Sequence, residues 1–511
     1  MRRHPASSGT TPRPTWLPIG LGSLLRLVQI WMPVLGVHSW RQADTAAMAR
    51  HFSLAGTPIW MPQIDWGGAS AGFVESELPI YPFLVSRLYG LMGIQEWLGR
   101  GLSVLCSALT IWLVMRLGRR WFNPEVGWWA GMAFAIAPLG VYFGRAFQAE
   151  ALLLLLAAGG LESMSLWRER RLPWAMGLSW LCFTTAGLMK VIPLLWLGLP
   201  LLMVQLSSNP QGQAPPLRTL PGRALRLLKS PGLWLYIGTS LLTIAGWYWH
   251  AHQLGQASGL TFGFWGSETD RSSLNLLLDL NGWINLLLRV GLRVLVVVGV
   301  PFLLIGLKSS WRSAGGQIAI SGVIGMLLCT IATMRASNIH EYYQLPLLLF
   351  SSPLIGLGWQ TWYQQRPRWQ PRSLLCLALT VSLAVLSMDY WALEHRQREA
   401  WMPLALTIRR NLPIDARIVS VTSSDPTLLN LARRQGWLIS SKHLTPEQLQ
   451  RWKRSGASHL AGSLVWDNTY RPMPQQQQQV LQEMVDASPR AWVDPRSKTY
   501  LIPIDDLQSQ Q

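Results

Sequence analysis

The chain has 511 residues, 50% of them hydrophobic and only 14% charged, against roughly 25% charged in soluble domains. That excludes an ordinary soluble domain, and 29 Trp residues point to a membrane, because indole favours the lipid–water interface. The net charge of +19 would suit nucleic acid, but the charges sit where membrane topology puts them, which excludes that partner.

Basic residues in "MRRHPASSGTTPRPT" precede the first apolar run. This reads as a cytoplasmic tail, residues 1–15, ahead of a retained first span rather than a cleaved signal peptide. Runs long enough to cross a bilayer, about 17–25 residues, then recur about eleven times. They fall at 16–37, 100–117, 126–143, 150–167, 174–189, 191–206, 233–249, 286–307, 316–333, 342–360 and 373–391. Residues 16–391 are therefore expected to form an all-α multi-spanning domain. Cys106, Cys182, Cys329 and Cys376 lie inside apolar runs and read as small packing residues.

With the N-terminus inside, each cytoplasmic loop is basic: Arg116, Arg119 and Arg120; Arg168, Arg170 and Arg171; Arg218, Arg223, Arg226 and Lys229; Lys308 and Arg312; Arg366, Arg368 and Arg372. The other side collects Asp44, Asp65, Glu75, Glu77, Glu150, Glu268, Asp270 and Glu341. Asp65, Glu268 and Asp270 read as ordinary loop acids. Asp44, Glu77 and Glu150 abut apolar segments, where an ionised group costs several kcal/mol unless paired or solvated, so they are candidate functional groups. For Asp44 the competing use is a helix cap.

The first external loop, residues 38–99, contains "DTAAMARHFSLAG" and "ELPIYPFLVSRLYGLMG", which suit helices at the membrane surface. The ordered set "HSWRQADTAAMARHF", "ESELPIYP", "GRAFQAEALLLLL", "GLMKVIPLLWLGLPLL" and "HEYYQLPLLLFSSPL" resembles GT-C glycosyltransferases. The match is to the family of dolichyl-phosphate-mannose protein mannosyltransferases and bacterial lipid A aminoarabinose transferase. The resemblance spans residues 38–355 and implies an enzyme. A sugar leaves a polyprenyl-phosphate carrier, with inversion, for a hydroxyl acceptor on the external face. It also makes Asp44 the general base, with Glu77 and Glu150 as further family acids. A carboxylate suits that role, since an alcohol is a poor nucleophile until its proton is taken.

The leaving phosphate needs cations, for which Arg41, Arg145 and Lys190 are the candidates. Lipid headgroup contact is the alternative for Arg145 and Lys190. A family Lys that touches the phosphate is replaced here by Leu78, which moves that duty to Lys190 and Arg145. Glu150 is expected to orient donor or acceptor or to pair with Arg145. His340 and Tyr343 are placed at the site with Tyr342, the tyrosines either facing headgroups or lining the carrier groove. No cofactor is expected beyond the polyprenyl-phosphate sugar as donor substrate. His250 and His252, at i and i+2, do not share a helix face, so the sequence supports no metal site.

Beyond residue 391 the apolar runs stop. Residues 392–511 are expected to form a small external (periplasmic) α/β domain, with strands at "RIVSVTS", "HLAGSLVW" and "KTYLIPI". Helices are expected at "DPTLLNLARRQGW", ending at Gly436, and at "TPEQLQRWKRSG", with a helix start or linker at Gln475. The expected protein is an inner (plasma) membrane glycosyltransferase acting on a glycan, lipid or protein acceptor. The rival is a transporter or flippase of lipid-linked sugars, which would want paired broken helices around a mid-membrane site. A non-catalytic scaffold would leave Asp44, Glu77 and Glu150 without a purpose.

Overall fold

A computed structural model describes residues 13–207, 211–214, 216–262, 273–364 and 369–508. Glu268, Asp270, Arg366 and Arg368 lie outside the described residues. Every apolar run expected to span contains helix, but among the described residues four helices are individually long and apolar enough to cross a membrane. These are Glu96–Trp121, Glu150–Arg170, Ala314–Ala332 and the 42-residue Gln370–Asn411. A fifth span would be the pair Leu280–Val294 and Gly299–Ser310, bent by 95° at Val296 and Val297, both at positive φ. Large side chains such as Leu105, Leu327 and Leu304 lie exposed along these helices, as contact with lipid requires.

The first expected span, 16–37, is helical only over Trp16–Leu27. From Val28 the chain turns, with Gln29 at φ 58° and Gly36 at φ 102°. Side chains from other helices bind the backbone there. Arg145 donates to the Gln29 carbonyl at 3.3 Å and Arg100 to that of Pro33 at 2.8 Å. Glu96 accepts from Val34 N–H at 2.9 Å, and Gln397 from Gly36 N–H at 2.6 Å. An apolar sequence can leave the helix here because the freed peptide groups of Gln29, Pro33, Val34 and Gly36 find partners.

The first external loop holds two helices, Ser39–Ala55 and Ile80–Met92. Ala43, Ala46 and Ala49 let the first pack closely on Tyr81, Val85 and Tyr89 of the second. Each ends at a glycine with positive φ, Gly56 at 64° and Gly93 at 78°.

The expected α/β domain is present, with differences. Five strands, β1 (Arg417–Val421), β2 (Gly436–Ile439), β3 (Ala457–Ser463), β4 (Trp492–Val493) and β5 (Thr499–Pro503), form one sheet in the order β2-β1-β3-β5-β4. β1 runs parallel to β2 and β3, and β5 antiparallel to β3 and β4. Val419, Val421, Leu460 and Ile502 face the helices Pro446–Arg454 and Gln475–Asp486. Ile418, Ala461 and Leu501 face Leu404 and Ile408 of the long helix and Leu429 of Thr427–Ala432.

Gly436, expected to end a helix, instead pairs with Ile418 in β2. The helix closes earlier, at Arg433 with φ 53°. A Cβ on Gly436 would lie 1.7 Å from the Ile418 carbonyl oxygen, so only glycine permits this strand approach. Likewise, the apolar composition ends near residue 392, but the helix runs on to Asn411. Ala, Leu, Gln, Glu and Arg keep high helix propensity after hydrophobicity is gone.

Candidate active site

Asp44 sits one and a half turns into the helix Ser39–Ala55, and only 3% of it is exposed. Trp66 Nε1–H donates to Asp44 Oδ1 at 3.0 Å. Burial pushes the carboxyl up to about 7, against the Trp66 hydrogen bond and the nearby Arg41 guanidinium, which favour the ionised form. Asp44 therefore sits where it changes charge near neutral pH, as a general base should.

One cleft brings together Arg41, Asp44, Glu77, Glu150 and Lys190, with Ser76, Leu78 and Pro79 in its wall. With the solvent at its open mouth it takes in about 450 Å³. Arg41 forms an ion pair with Glu77, and Lys190 with Glu150. Lys190 caps the helix Pro173–Met189, and Glu150 begins Glu150–Arg170, so two helices meet at this pair.

On the far side of Lys190 lies a second, mostly apolar groove. Leu153, Leu154, Ile192, Trp196, Tyr342 and Tyr343 line it with Glu150 and Lys190. The Lys190 ammonium lies 4.6 Å from the centre of the Tyr342 ring, within cation–π range. The pair Glu150–Lys190 is thus a wall common to a polar cleft and an apolar groove. His340 lies behind the groove, its ring stacked on Tyr342 at 5.4 Å and edge-on to His38 at 5.2 Å.

Arg145 does not join the cleft. It is fully buried and pairs with Glu394 of the long helix at 2.6 Å, with Arg100 on the other carboxylate oxygen at 3.4 Å. The expectation that it grips phosphate, or pairs with Glu150, is corrected: its position binds the long helix and the turn after Leu27. Removing one member of a buried pair costs about 3–5 kcal/mol, because it strands the other. Arg145→Ala should accordingly lower the melting temperature and yield in detergent, with donor affinity unchanged in the protein that survives.

Glu75 also points elsewhere, to Thr261 and to His252 at 3.6 Å, so Glu77 is the acid in the cleft. His250 donates from Nε2 to the Trp60 carbonyl at 2.8 Å. Among the described residues no group of three or more His, Cys, Asp or Glu is placed to hold a metal ion.

Sequence reading missed Trp66, the partner of Asp44. Indole in a Gly-rich loop gives no local signal, and only the fold brings it across 22 positions. It also missed Gln42, which donates to the Val37 carbonyl at 3.2 Å and accepts from Phe147 N–H at 3.0 Å, fixing the loop before Glu150.

Residues 76–249 match the model of the dolichyl-phosphate-mannose-protein mannosyltransferase family. The chain resembles the GT-C glycosyltransferases. Over its whole length the fold is similar to ArnT from Cupriavidus metallidurans bound to undecaprenyl phosphate. That match has 15% identity and a TM-score of 0.66, over 96% of this chain and 97% of that one. The oligosaccharyltransferase of Archaeoglobus fulgidus is similar over 88% of this chain and 68% of its own, at 13% identity and TM-score 0.51. The arabinofuranosyltransferase AftD from Mycobacteria is similar over 97% of this chain and 42% of its own, at 15% identity and TM-score 0.51. No curated protein matches the sequence. The chain thus shares a mostly helical fold with these structures, with four described helices long and apolar enough to cross a membrane and a small C-terminal sheet.

Proposed function

We propose that this protein transfers a sugar from a polyprenyl-phosphate carrier to a hydroxyl acceptor, with inversion, on the external face of the membrane. One observation carries the reading: a buried carboxylate near neutral titration shares a cleft with two ion-paired cations, and the cleft adjoins an apolar groove. An alcohol enters the polar cleft and gives its proton to Asp44 as its oxygen attacks the anomeric carbon. The carbon–oxygen bond to phosphate breaks, and the negative charge left on the phosphate is met by Lys190, with Arg41 beside it. The prenyl chain lies along Leu153, Leu154, Ile192 and Trp196, where apolar burial holds it. Glu77 and Glu150 keep the two cations in place while the carrier is absent.

The flippase reading is weaker, because Asp44, Glu77 and Glu150 gather in one cleft. Among the described residues one bent pair occurs, not matched halves.

The test is release of undecaprenyl phosphate by the purified protein from a panel of undecaprenyl-phosphate sugars. Turnover of at least one supports transfer, and no turnover with any, alongside transport across a vesicle bilayer, would favour the rival. Topology is checked separately. Reporters fused at Gln511 and near Arg368 should mark opposite sides of the membrane, the C-terminus outside, and a common side would break the eleven-span count.

A further inference from the structure

The helix that carries Arg41 and Asp44 lacks a cap of its own. His38 precedes it in the left-handed region, at φ 54°, and its side chain makes no capping bond. The missing partners come from the C-terminal domain, more than 380 positions away. Ser39 N–H donates to the Tyr470 hydroxyl as well as to the Gly36 carbonyl at 3.1 Å. The Tyr470 hydroxyl in turn donates to that same Gly36 carbonyl, at 3.1 Å.

Beside it lies a buried polar knot. Thr427 and Thr469 hydroxyls each donate to the Asp425 carboxylate at 2.5 Å, and their backbone N–H groups donate to it at 3.0 and 3.2 Å. A carboxylate accepts only, so both threonine protons are committed to Asp425. Their oxygens remain acceptors, and the Ser39 hydroxyl lies 2.9 Å from Thr469 Oγ1 and 3.1 Å from Thr427 Oγ1. Ser39, with its single hydroxyl proton, therefore donates to one of these two oxygens. Gln397 of the long helix closes the ring, accepting from Gly36 N–H at 2.6 Å and donating to the Thr469 carbonyl at 3.0 Å.

We infer that the C-terminal domain is the cap and positioning element of the Asp44 helix, with Tyr470, Thr469 and Asp425 as the positioning residues. This rests on the reading of Asp44 as base. The domain touches neither donor nor reacting atoms in this role. It holds Ser39, and through one and a half helical turns it holds the carboxylate. Space at the joint is tight: a Cβ on Gly36 would lie 2.2 Å from Tyr142 Oη and 2.9 Å from Glu394 Cγ.

The test uses the full chain in detergent with Tyr470→Phe, Thr469→Val and Thr469→Ser. Amide exchange over residues 39–45 should quicken by about 5-fold in Tyr470→Phe and Thr469→Val, the effect of a lost cap. With whichever undecaprenyl-phosphate sugar the wild type turns over, kcat should fall by about 10-fold at unchanged donor KM, since small misplacements of a reacting group are costly. Thr469→Ser keeps the hydroxyl and should restore both readouts. A role in folding alone would lower melting temperature without the split between kcat and KM or the rescue. Unchanged exchange over 39–45 in both variants overturns the inference, whatever the activity. Unchanged kcat in both, with Asp44→Asn inactive, overturns it and leaves the base assignment standing. Normal turnover by Asp44→Asn removes the base and the inference with it.

Discussion

Asp44→Asn lowers sugar transfer by about 10²–10⁴-fold, the usual worth of a general base, while the variant melts in detergent close to the wild type. Asn keeps the size of the side chain and its oxygen can still accept from Trp66 Nε1–H, the bond measured at 3.0 Å. What it cannot do is take the proton of the acceptor alcohol. A cap would behave otherwise, since Asn and Asp cap helices about equally well. The position already argues against a cap, for Asp44 lies inside the helix that starts at Ser39. Near-normal transfer by this variant would remove Asp44 from the chemistry.

The same carboxyl sets the pH dependence. Burial pushes it up to about 7, so protonation removes the base as the pH falls through that value. The rate should fall about tenfold per unit below pH 6 and level off above pH 8. Arg41, Asp65 and Asp425 bear on this group through their charges, and Trp66 through its hydrogen bond. Trp66→Phe deletes only the bond to the ionised form, so the acid limb should move to higher pH. A limb that stays in place would place the controlling group elsewhere.

The second large effect concerns the carrier phosphate. Lys190→Ala alone is a poor test, because it strands the buried Glu150 carboxylate and costs stability. Lys190→Met combined with Glu150→Gln removes both charges together and keeps the shape. Compared with Glu150→Gln alone, the double variant should raise the KM for the donor by about 10–100-fold. That is the worth of a charge-assisted hydrogen bond, about 1.5–3 kcal/mol. Equal donor KM in the two would assign the phosphate to other groups. Arg145 is not among the substitutes, since its guanidinium is held by Glu394.

Several features were legible from residue order alone. Hydrophobic runs mark helices wherever about 17 or more apolar residues must be buried or lipid-facing, and all the expected segments contain helix. Asp44, Glu77, Glu150, Arg41 and Lys190 stand out because a charge beside an apolar run needs a reason, and all five line one cleft. Thr445 and Pro446 announce their helix through local chemistry, with the Thr445 hydroxyl accepting from Gln448 N–H at 3.3 Å. Such signals act within a few residues of themselves, so a sequence displays them directly.

Contacts between distant segments carry no such mark. Arg145 and Lys190 look alike in sequence, each a cation beside an apolar run. Packing buries one against Glu394, 249 positions away, and leaves the other at the cleft beside Glu150. The same holds for Gly436, whose use depends on how near Ile418 comes, and for the first span, which breaks because Arg100, Arg145, Glu96 and Gln397 take over its backbone bonds. Trp66 and Tyr470 meet the Asp44 helix only when the loop and the C-terminal domain close on it. Burial and hydrogen bonding decide what a polar side chain does, and both belong to neighbours that the chain assembles only by folding.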